Sequence, residues 1–242
     1  LNGESKVDVA TAEAIQTLKG NGYEPFIATG RSPAETRDIM ESANIHSGIF
    51  MNGQVVLYQE QIIYSSQIPT ETVEKFHQMV KEDGYGLTAY NHERFYLVAS
   101  SEGAKDAYGF IHTNPPALKE DFYKENPVNM LLFICLQPAE EKYKEAFPHL
   151  DFLRNTPYSV DVITKGNSKA EGIKRFLEYL NQEDAKTFAF GDGPNDIEML
   201  QAVQHPVAMG NALPILKEIA EFITTDNTDN GIVNGLKHYG LI

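Results

Sequence analysis

Phe188-Ala189-Phe190-Gly191-Asp192-Gly193-Pro194-Asn195-Asp196-Ile197-Glu198-Met199-Leu200 decides how the rest of the chain reads. A short apolar run ends in a glycine-flanked acidic loop and restarts as a helix, so the stretch predicts strand, tight turn, helix. Asp192, Asn195 and Asp196 are thereby gathered on one turn at a strand's C-terminal edge. In an open α/β sheet that edge is where ligands bind, and hard cations such as Mg²⁺ take oxygen ligands of this kind. The competing reading is a helix N-cap, with Pro194 in the first turn and Asp196 near the positive end of the dipole. Two carboxylates this close repel one another and a cation would relieve the repulsion, which favours a metal at Asp192.

Working outward, the same strand-then-helix rhythm fills the C-terminal part. Val160–Ile163, Thr187–Phe190, Val207–Met209 and Phe222–Thr224 read as strands, separated by helices over 168–180, 195–203 and 212–219 and followed by one over 231–238. This alternation predicts an α/β fold with a doubly wound parallel sheet. The N-terminal part fits the same sheet. Asp8–Lys19 has helical spacing and is stopped by Gly20-Asn21-Gly22; Tyr23–Ala28 reads as a strand that runs into Thr29-Gly30-Arg31. Ser32 and Glu35 form a capping box around Pro33, so a helix starts there. Gly48–Met51 is a buried strand closed by Asn52-Gly53, with a hairpin-like pair at Val55–Tyr58 and Ile62–Tyr64.

From Ile68 the texture changes to an α+β pattern without regular alternation: a helix to about Asp83, strands at 86–90 and 95–99, a helix from 102 to about 112, and a Pro-rich link at Asn114-Pro115-Pro116. A strand around Leu132, a helix over 139–147 and a strand at 152–154 complete it. The expected organisation is therefore a core from residues 1–67 and 158–242, split by an inserted α+β cap over 68–157.

Composition narrows the class. The 242 residues carry 34 acidic against 20 basic side chains, a net charge of -14. That argues against nucleic acid as a partner, because a basic face is required there. It leaves room for a phosphorylated substrate, since one bound cation and a few basic groups can reverse the sign of a single cleft. The one cysteine, Cys135, lies in the apolar run Met130–Leu136 and reads as a buried, inert thiol, consistent with a reducing, cytoplasmic setting. That run is too short to cross a bilayer, and no signal-peptide pattern opens the sequence. The seven histidines form no metal-binding pair at helical spacing, and there is no G-x-S-x-G, Walker or G-x-G-x-x-G motif. The acidic runs around Glu120 and Glu140 read as solvated faces.

Three further stretches are candidates for chemistry. Thr29-Gly30 follows a strand and precedes a helix N-terminus, a geometry suited to anions; Thr29 can give a hydroxyl and Gly30 lets backbone approach closely, although a plain turn is the stronger reading in isolation. Arg31 reads as a structural ion-pair partner. Lys169 falls in the first turn of a helix, where the dipole disfavours a cation, and a residue that breaks a local rule is a candidate for function; Lys165 is its competitor. Asn52-Gly53 reads mainly as a type I′ turn.

The ordered set, Thr29-Gly30-Arg31 after a strand, a large insertion, Lys169 at a helix start and Gly191-Asp192-Gly193-Pro194-Asn195-Asp196 after a strand, resembles the haloacid dehalogenase superfamily. Within it the chain is similar to the Cof-type phosphatases (subfamily IIB), which carry a C2 cap between the second and third motifs. Asn52-Gly53 and Asp229-Asn230-Gly231-Ile232-Val233 extend the resemblance over nearly the whole chain. The resemblance implies a Rossmann-like core and Mg²⁺-dependent hydrolysis of a small phosphorylated metabolite, such as a sugar phosphate, through an aspartyl-phosphate. It assigns Thr29 to the second motif, Lys169 to the third and Asp192 with Asp196 to the fourth, with Thr29, Gly30, Lys169 and Asn195 near the phosphate. It makes residues 68–157 a lid. A phosphomutase is the alternative reaction, and a non-catalytic binder of phosphorylated metabolites the alternative class. The family's first motif, a strand ending Asp-x-Asp-Gly-Thr-Leu, does not occur in these residues; Leu1-Asn2-Gly3 resembles the residues that come directly after that motif, which puts the nucleophile immediately upstream of Leu1. A chain without that strand is expected to be inactive and poorly folded.

Overall fold

Helices and strands alternate in both parts of the chain, and the computed structural model divides it into two units, Leu1–Thr29 with Glu35–Tyr64 and Ser168–Ile242, and Gly30–Ala34 with Ser65–Asn167. The structure describes residues 2, 6–111 and 113–242. Leu1 and Gly3 of the expected post-motif segment, and His112 at the expected end of a helix, lie outside the described residues.

The first unit opens with α1 (Val9–Gly20), capped by Asp8, whose Oδ1 accepts from Thr11 N at 2.7 Å. Then come β1 (Ile27–Ala28), α2 (Pro33–Ala43), β2 (Gly48–Phe50), a 3-10 turn (Met51–Gly53), β3 (Val55–Tyr58) and β4 (Gln61–Ser65). Only Ile27 and Ala28 of the expected 23–28 strand enter the ladder, parallel to β2; Pro25 has no N–H to donate. β3 runs antiparallel to β2, and the sheet order is β1-β2-β3-β4. The second sheet is a parallel set in the order β10-β11-β12, from β10 (Phe188–Gly191), β11 (His205–Ala208) and β12 (Phe222–Ile223). Its helices are α7 (Lys169–Leu180), α8 (Ile197–Ala202), α9 (Pro214–Ile219) and α10 (Gly231–His238). One apolar cluster serves both sheets: Ile49 and Val56 from the first, Ala189 and Ala208 from the second, with Ile173 and Phe176 of α7 between them in sequence. Phe176 stacks on Phe26 at 4.8 Å and meets Tyr58 edge-on at 5.5 Å, contacts each worth about 1 kcal/mol beyond burial. β1 and β10 each end their sheet, and no described strand pairs with their outer edges.

The second unit is a five-stranded antiparallel sheet, order β6-β5-β7-β9-β8, from β5 (Gly86–Tyr90), β6 (Phe95–Ala99), β7 (Met130–Ile134), β8 (Leu150–Thr156) and β9 (Ser159–Thr164). Side chains at alternate positions, Leu87, Ala89, Leu131, Phe133, Val160 and Val162, join one cluster with Val73, Phe76 and Val80 of α3 (Thr70–Asp83). That is the period-two face a half-covered sheet must bury. The cluster continues through Tyr143 of α6 (Glu140–Ala146) and Phe122 of α5 (Phe122–Glu125); α4 (Ala104–Phe110) lies between β6 and α5 in sequence.

Two further departures from expectation concern distant partners. Val160–Ile163 does not restart the parallel core: β9 pairs antiparallel with both β7 and β8, so it belongs to the inserted sheet and the boundary expected at 158 falls too early. An apolar run fits either sheet equally well, and only pairing decides. The acidic run around Glu140 is a solvated face at Glu141 and Glu145, which are exposed, but not at Glu140 itself. Glu140 is 3% exposed, and Arg154 grips it through two bonds, Nε to Oε1 at 2.8 Å and Nη2 to Oε2 at 2.7 Å. Glu120 does lie at the surface, paired with Lys81. Cys135 is buried, and desolvation pushes its thiol up to about 11, so it stays protonated and inert.

Candidate active site

β10 delivers the acidic loop. After Gly191 the chain enters a 3-10 turn, Pro194–Asp196, before α8. The two aspartates of this loop have different surroundings. Asp196 is 5% exposed and turned inward: its Oδ2 accepts from the backbone N–H of Asp192 at 2.9 Å and of Gly193 at 3.0 Å. Its Oδ1 accepts from Lys169 Nζ at 2.6 Å. A carboxylate saturated in this way holds the loop closed and has little left to offer a cation. Asp192 is exposed, and its Oδ2 accepts from Asn211 Nδ2 at 2.8 Å.

The rule-breaking position of Lys169 now has a physical reason. α7 starts there, capped by Ser168, whose hydroxyl accepts from Glu171 N at 3.2 Å. The ammonium, 6% exposed, would be repelled by the helix N-terminus alone; the Asp196 carboxylate supplies the compensating charge. Lys165, the competing lysine, is exposed and lies in the other unit, with Nζ reaching Pro148 O at 3.4 Å. So Lys169, Asp192, Asn195 and Asp196 are brought together within one unit.

Thr29 ends β1. Its N–H donates to Ile49 O at 2.9 Å, and its carbonyl accepts from Asn52 N at 3.1 Å, which ties it to the turn after β2. That turn is more than a hairpin bend. Met51 and Asn52 both adopt positive φ, 49° and 53°, a conformation that L side chains adopt only at a cost. Asn52 is buried, and its Oδ1 accepts from Asn195 Nδ2 at 3.0 Å, joining the β2 turn to the acidic loop. Gly30 falls in Gly30–Ala34, which clusters with the second unit.

Gly53 sets the spacing. At φ +91° its missing Cβ would lie 2.1 Å from Ser168 O, so only glycine lets the turn touch the N-cap of α7. Gly172, one turn into α7, repeats the device: a Cβ there would meet Ile49 Cγ2 at 2.4 Å. A Gly53→Ala protein is expected to lose roughly 2–3 kcal/mol of stability from strain and clash together. Its urea midpoint should fall accordingly, and unchanged unfolding would mean that the turn can move away from α7 freely.

One residue of this network was read only in part from sequence and one was missed. Asn52 reads as turn chemistry because its partner lies 143 positions away. Asn211 carries no motif at all; the available signal is its place just beyond the C-terminal end of β11, the side of an α/β sheet where ligands gather. The Asn91 region, a polar cluster between strands in sequence, proves to be a hairpin tip: Asn91 Oδ1 accepts from Glu93 N and Arg94 N at 3.0 and 2.9 Å. Among the described residues no group of three or more His, Cys, Asp or Glu side chains is placed to hold a metal ion, and no helix is long and apolar enough to cross a membrane.

Comparison with known proteins gives this arrangement its context. A family described as haloacid dehalogenase-like hydrolase matches residues 1–236. A Bacillus subtilis protein named "Putative phosphatase YkrA" is 36% identical over 240 residues, covering 99% of this chain and 93% of its own. The crystal structure of a hypothetical protein from Geobacillus kaustophilus superposes with a TM-score of 0.93 at 31% identity, over 99% of this chain and 94% of that one. The subclass IIB sugar phosphatase BT4131 does so with a TM-score of 0.85 at 28% identity, with the same two coverages. The chain belongs to the haloacid dehalogenase-like hydrolase family and is a hydrolase of its phosphatase branch.

Proposed function

We propose that this hydrolase is a Mg²⁺-dependent phosphatase of small phosphorylated metabolites, sugar phosphates among them, working in the cytoplasm through an aspartyl-phosphate. The observation that carries the reading is the buried Lys169–Asp196 pair at 2.6 Å, with Asp196 in turn clamping the N–H groups of Asp192 and Gly193. It holds a fixed positive charge beside an exposed carboxylate at the C-terminal end of a parallel strand. An ammonium so placed attracts a phosphoryl group and, being already oriented, needs no reorganisation when charge develops. Thr29 and Asn195 are proposed to donate to the remaining phosphoryl oxygens, Thr29 through its hydroxyl and Asn195 through the amide that Asn52 orients. Gly30 would let the backbone approach the same group.

The donor set fits Mg²⁺ in chemistry. Asp192 offers a hard oxygen at an exposed position, and Mg²⁺ characteristically takes one or two carboxylates and completes its octahedron with water and substrate phosphate. Asp192 would hold the ion, which when bound neutralises charge on the transferring phosphoryl group. The nucleophile is proposed to be a carboxylate on a strand beside β1 and β10, whose outer edges no described strand pairs. In the first step its oxygen bonds to phosphorus as the ester oxygen departs and takes a proton; water then hydrolyses the acyl phosphate.

The test is turnover of p-nitrophenyl phosphate and a panel of sugar phosphates by the intact protein. Activity abolished by EDTA, restored by MgCl₂ and lost in Asp192→Ala is the expected result. Full activity in EDTA would overturn the metal assignment.

A further inference from the structure

We infer that Asn211 is a positioning residue that fixes the Asp192 carboxylate so that one oxygen, Oδ1, faces the cation; this rests on the metal reading of Asp192 above. An exposed aspartate on a loop is free to rotate, and a rotating carboxylate binds a small, geometrically demanding cation poorly. Here rotation is stopped from one side. Asn211 Nδ2 donates to Asp192 Oδ2 at 2.8 Å, and no hydrogen bond from another described residue reaches Oδ1.

The direction of that bond is set by a second contact. An asparagine amide can turn over, presenting either its NH₂ or its oxygen to a neighbour. The backbone N–H of Asn227 donates to Asn211 Oδ1 at 3.1 Å. Since an N–H donor can be met only by the amide oxygen, Asn211 must turn its NH₂ toward Asp192. The segment that presents Asn227 N–H is itself braced. Gly210 N donates to Thr225 O at 3.0 Å and Gly231 N to Asp226 O at 3.1 Å. Asn234 Nδ2 donates to Thr225 Oγ1 at 2.8 Å, and the buried Thr224 hydroxyl donates to Gly231 O at 2.7 Å. Two glycines let the strands of this knot approach: a Cβ on Gly210 would sit 2.7 Å from Asp226 N, and one on Gly231 2.3 Å from Thr225 O.

The backbone adds a second tie. Leu213 N donates to Asp192 O at 3.2 Å, and Met209 N to Gly191 O at 3.0 Å, so the segment after β11 holds both the main chain and the side chain of the residue it positions. The Asp229-Asn230-Gly231 turn thereby acquires a role in the site: it braces the segment whose Asn227 N–H orients Asn211, which in turn orients Asp192.

The experiment titrates the intact protein with MnCl₂ alone, counting free Mn²⁺ by electron paramagnetic resonance, for wild type, Asn211→Ala and Asp192→Ala. Asn211 is exposed, so its truncation is expected to leave the thermal midpoint unchanged. Partners that orient a metal-binding carboxylate typically contribute about 10–100-fold in affinity, and Asn211→Ala should weaken Mn²⁺ binding by about tenfold or more. The Mg²⁺ concentration needed for half-maximal turnover should rise by the same factor, while kcat at saturating Mg²⁺ stays near wild type. If Asp192→Ala abolishes Mn²⁺ binding and Asn211→Ala leaves it unchanged, the positioning role is wrong and the metal reading stands. Unchanged binding in both variants overturns the metal reading and the positioning role together.

Discussion

Asp196→Ala is expected to cost roughly 3–5 kcal/mol of stability and to remove turnover, because it strands a charge inside the protein. Lys169 is 6% exposed and its ammonium lies 2.6 Å from the carboxylate that would be deleted. The same deletion takes away the acceptor of the Asp192 and Gly193 N–H groups, so the loop that carries the proposed metal ligand loses its closure. Lys169→Met behaves differently. It removes the charge itself, and Asp196 keeps two N–H donors, so the stability loss should be clearly smaller. Turnover should nevertheless fall by about 10²–10³-fold, the usual effect of removing one pre-oriented charge donor from a transition state. Urea midpoints and p-nitrophenyl phosphate turnover of the two variants in the intact protein separate the roles. Wild-type turnover by Lys169→Met would remove that residue from the proposed mechanism, and an unshifted midpoint for Asp196→Ala would show that the ammonium finds water or another partner.

Glu140→Ala should destabilise the second unit by about 3 kcal/mol, near the lower end for breaking a buried pair. The lower end applies because the Arg154 guanidinium also donates through Nη1 to the carbonyls of Cys135, Thr156 and Pro157, at 3.2, 3.2 and 3.0 Å, and keeps those bonds. Through them one side chain ties the end of β7, the β8–β9 turn and the start of α6. The same pair predicts a pH dependence. Hydrogen bonding to Arg154 holds the Glu140 carboxyl below its ordinary value of 4.5. A group whose pKa is lowered in the folded state contributes stability that is fully present above the unfolded value and is lost as pH falls through the folded one. Stability of the second unit should therefore decline from about pH 5 downward, and Glu140→Ala should flatten that decline. An acid titration of unfolding with the same slope in variant and wild type would contradict it.

The range of the forces involved decides how much of this was legible in the residues. The helix starting at Pro33, the strand that gives way to the acidic loop at Gly191 and the helix after Pro194 are local: each depends on neighbours within a few positions, and each is found within two residues of where the sequence puts it. The order of the motifs also survives translation into structure, because Thr29, Lys169 and the 192–196 loop each stand at the end of a strand or the start of a helix. The resemblance already gave the two aspartates different tasks, a metal at Asp192 and the loop with Lys169 at Asp196, but the residues themselves carry no physical reason for that division. Asp192 and Asp196 are chemically identical in sequence, and what separates them is burial and the arrival of Lys169 from 27 positions away.

The sequence by itself determined the class of this protein: βα alternation, an inserted α+β segment, and an acidic loop, a threonine and a lysine in a fixed order. Tertiary structure alone decided which sheet received β9, that Glu140 is a buried ion-pair partner, and that Asn52 and Asn211 belong to the Asp192–Asp196 loop. The physical reason is the same in each case. A strand's hydrophobic pattern, a carboxylate or an amide carries no record of its partner, and pairing between distant segments is settled only when packing brings their backbones and polar groups within hydrogen-bond reach.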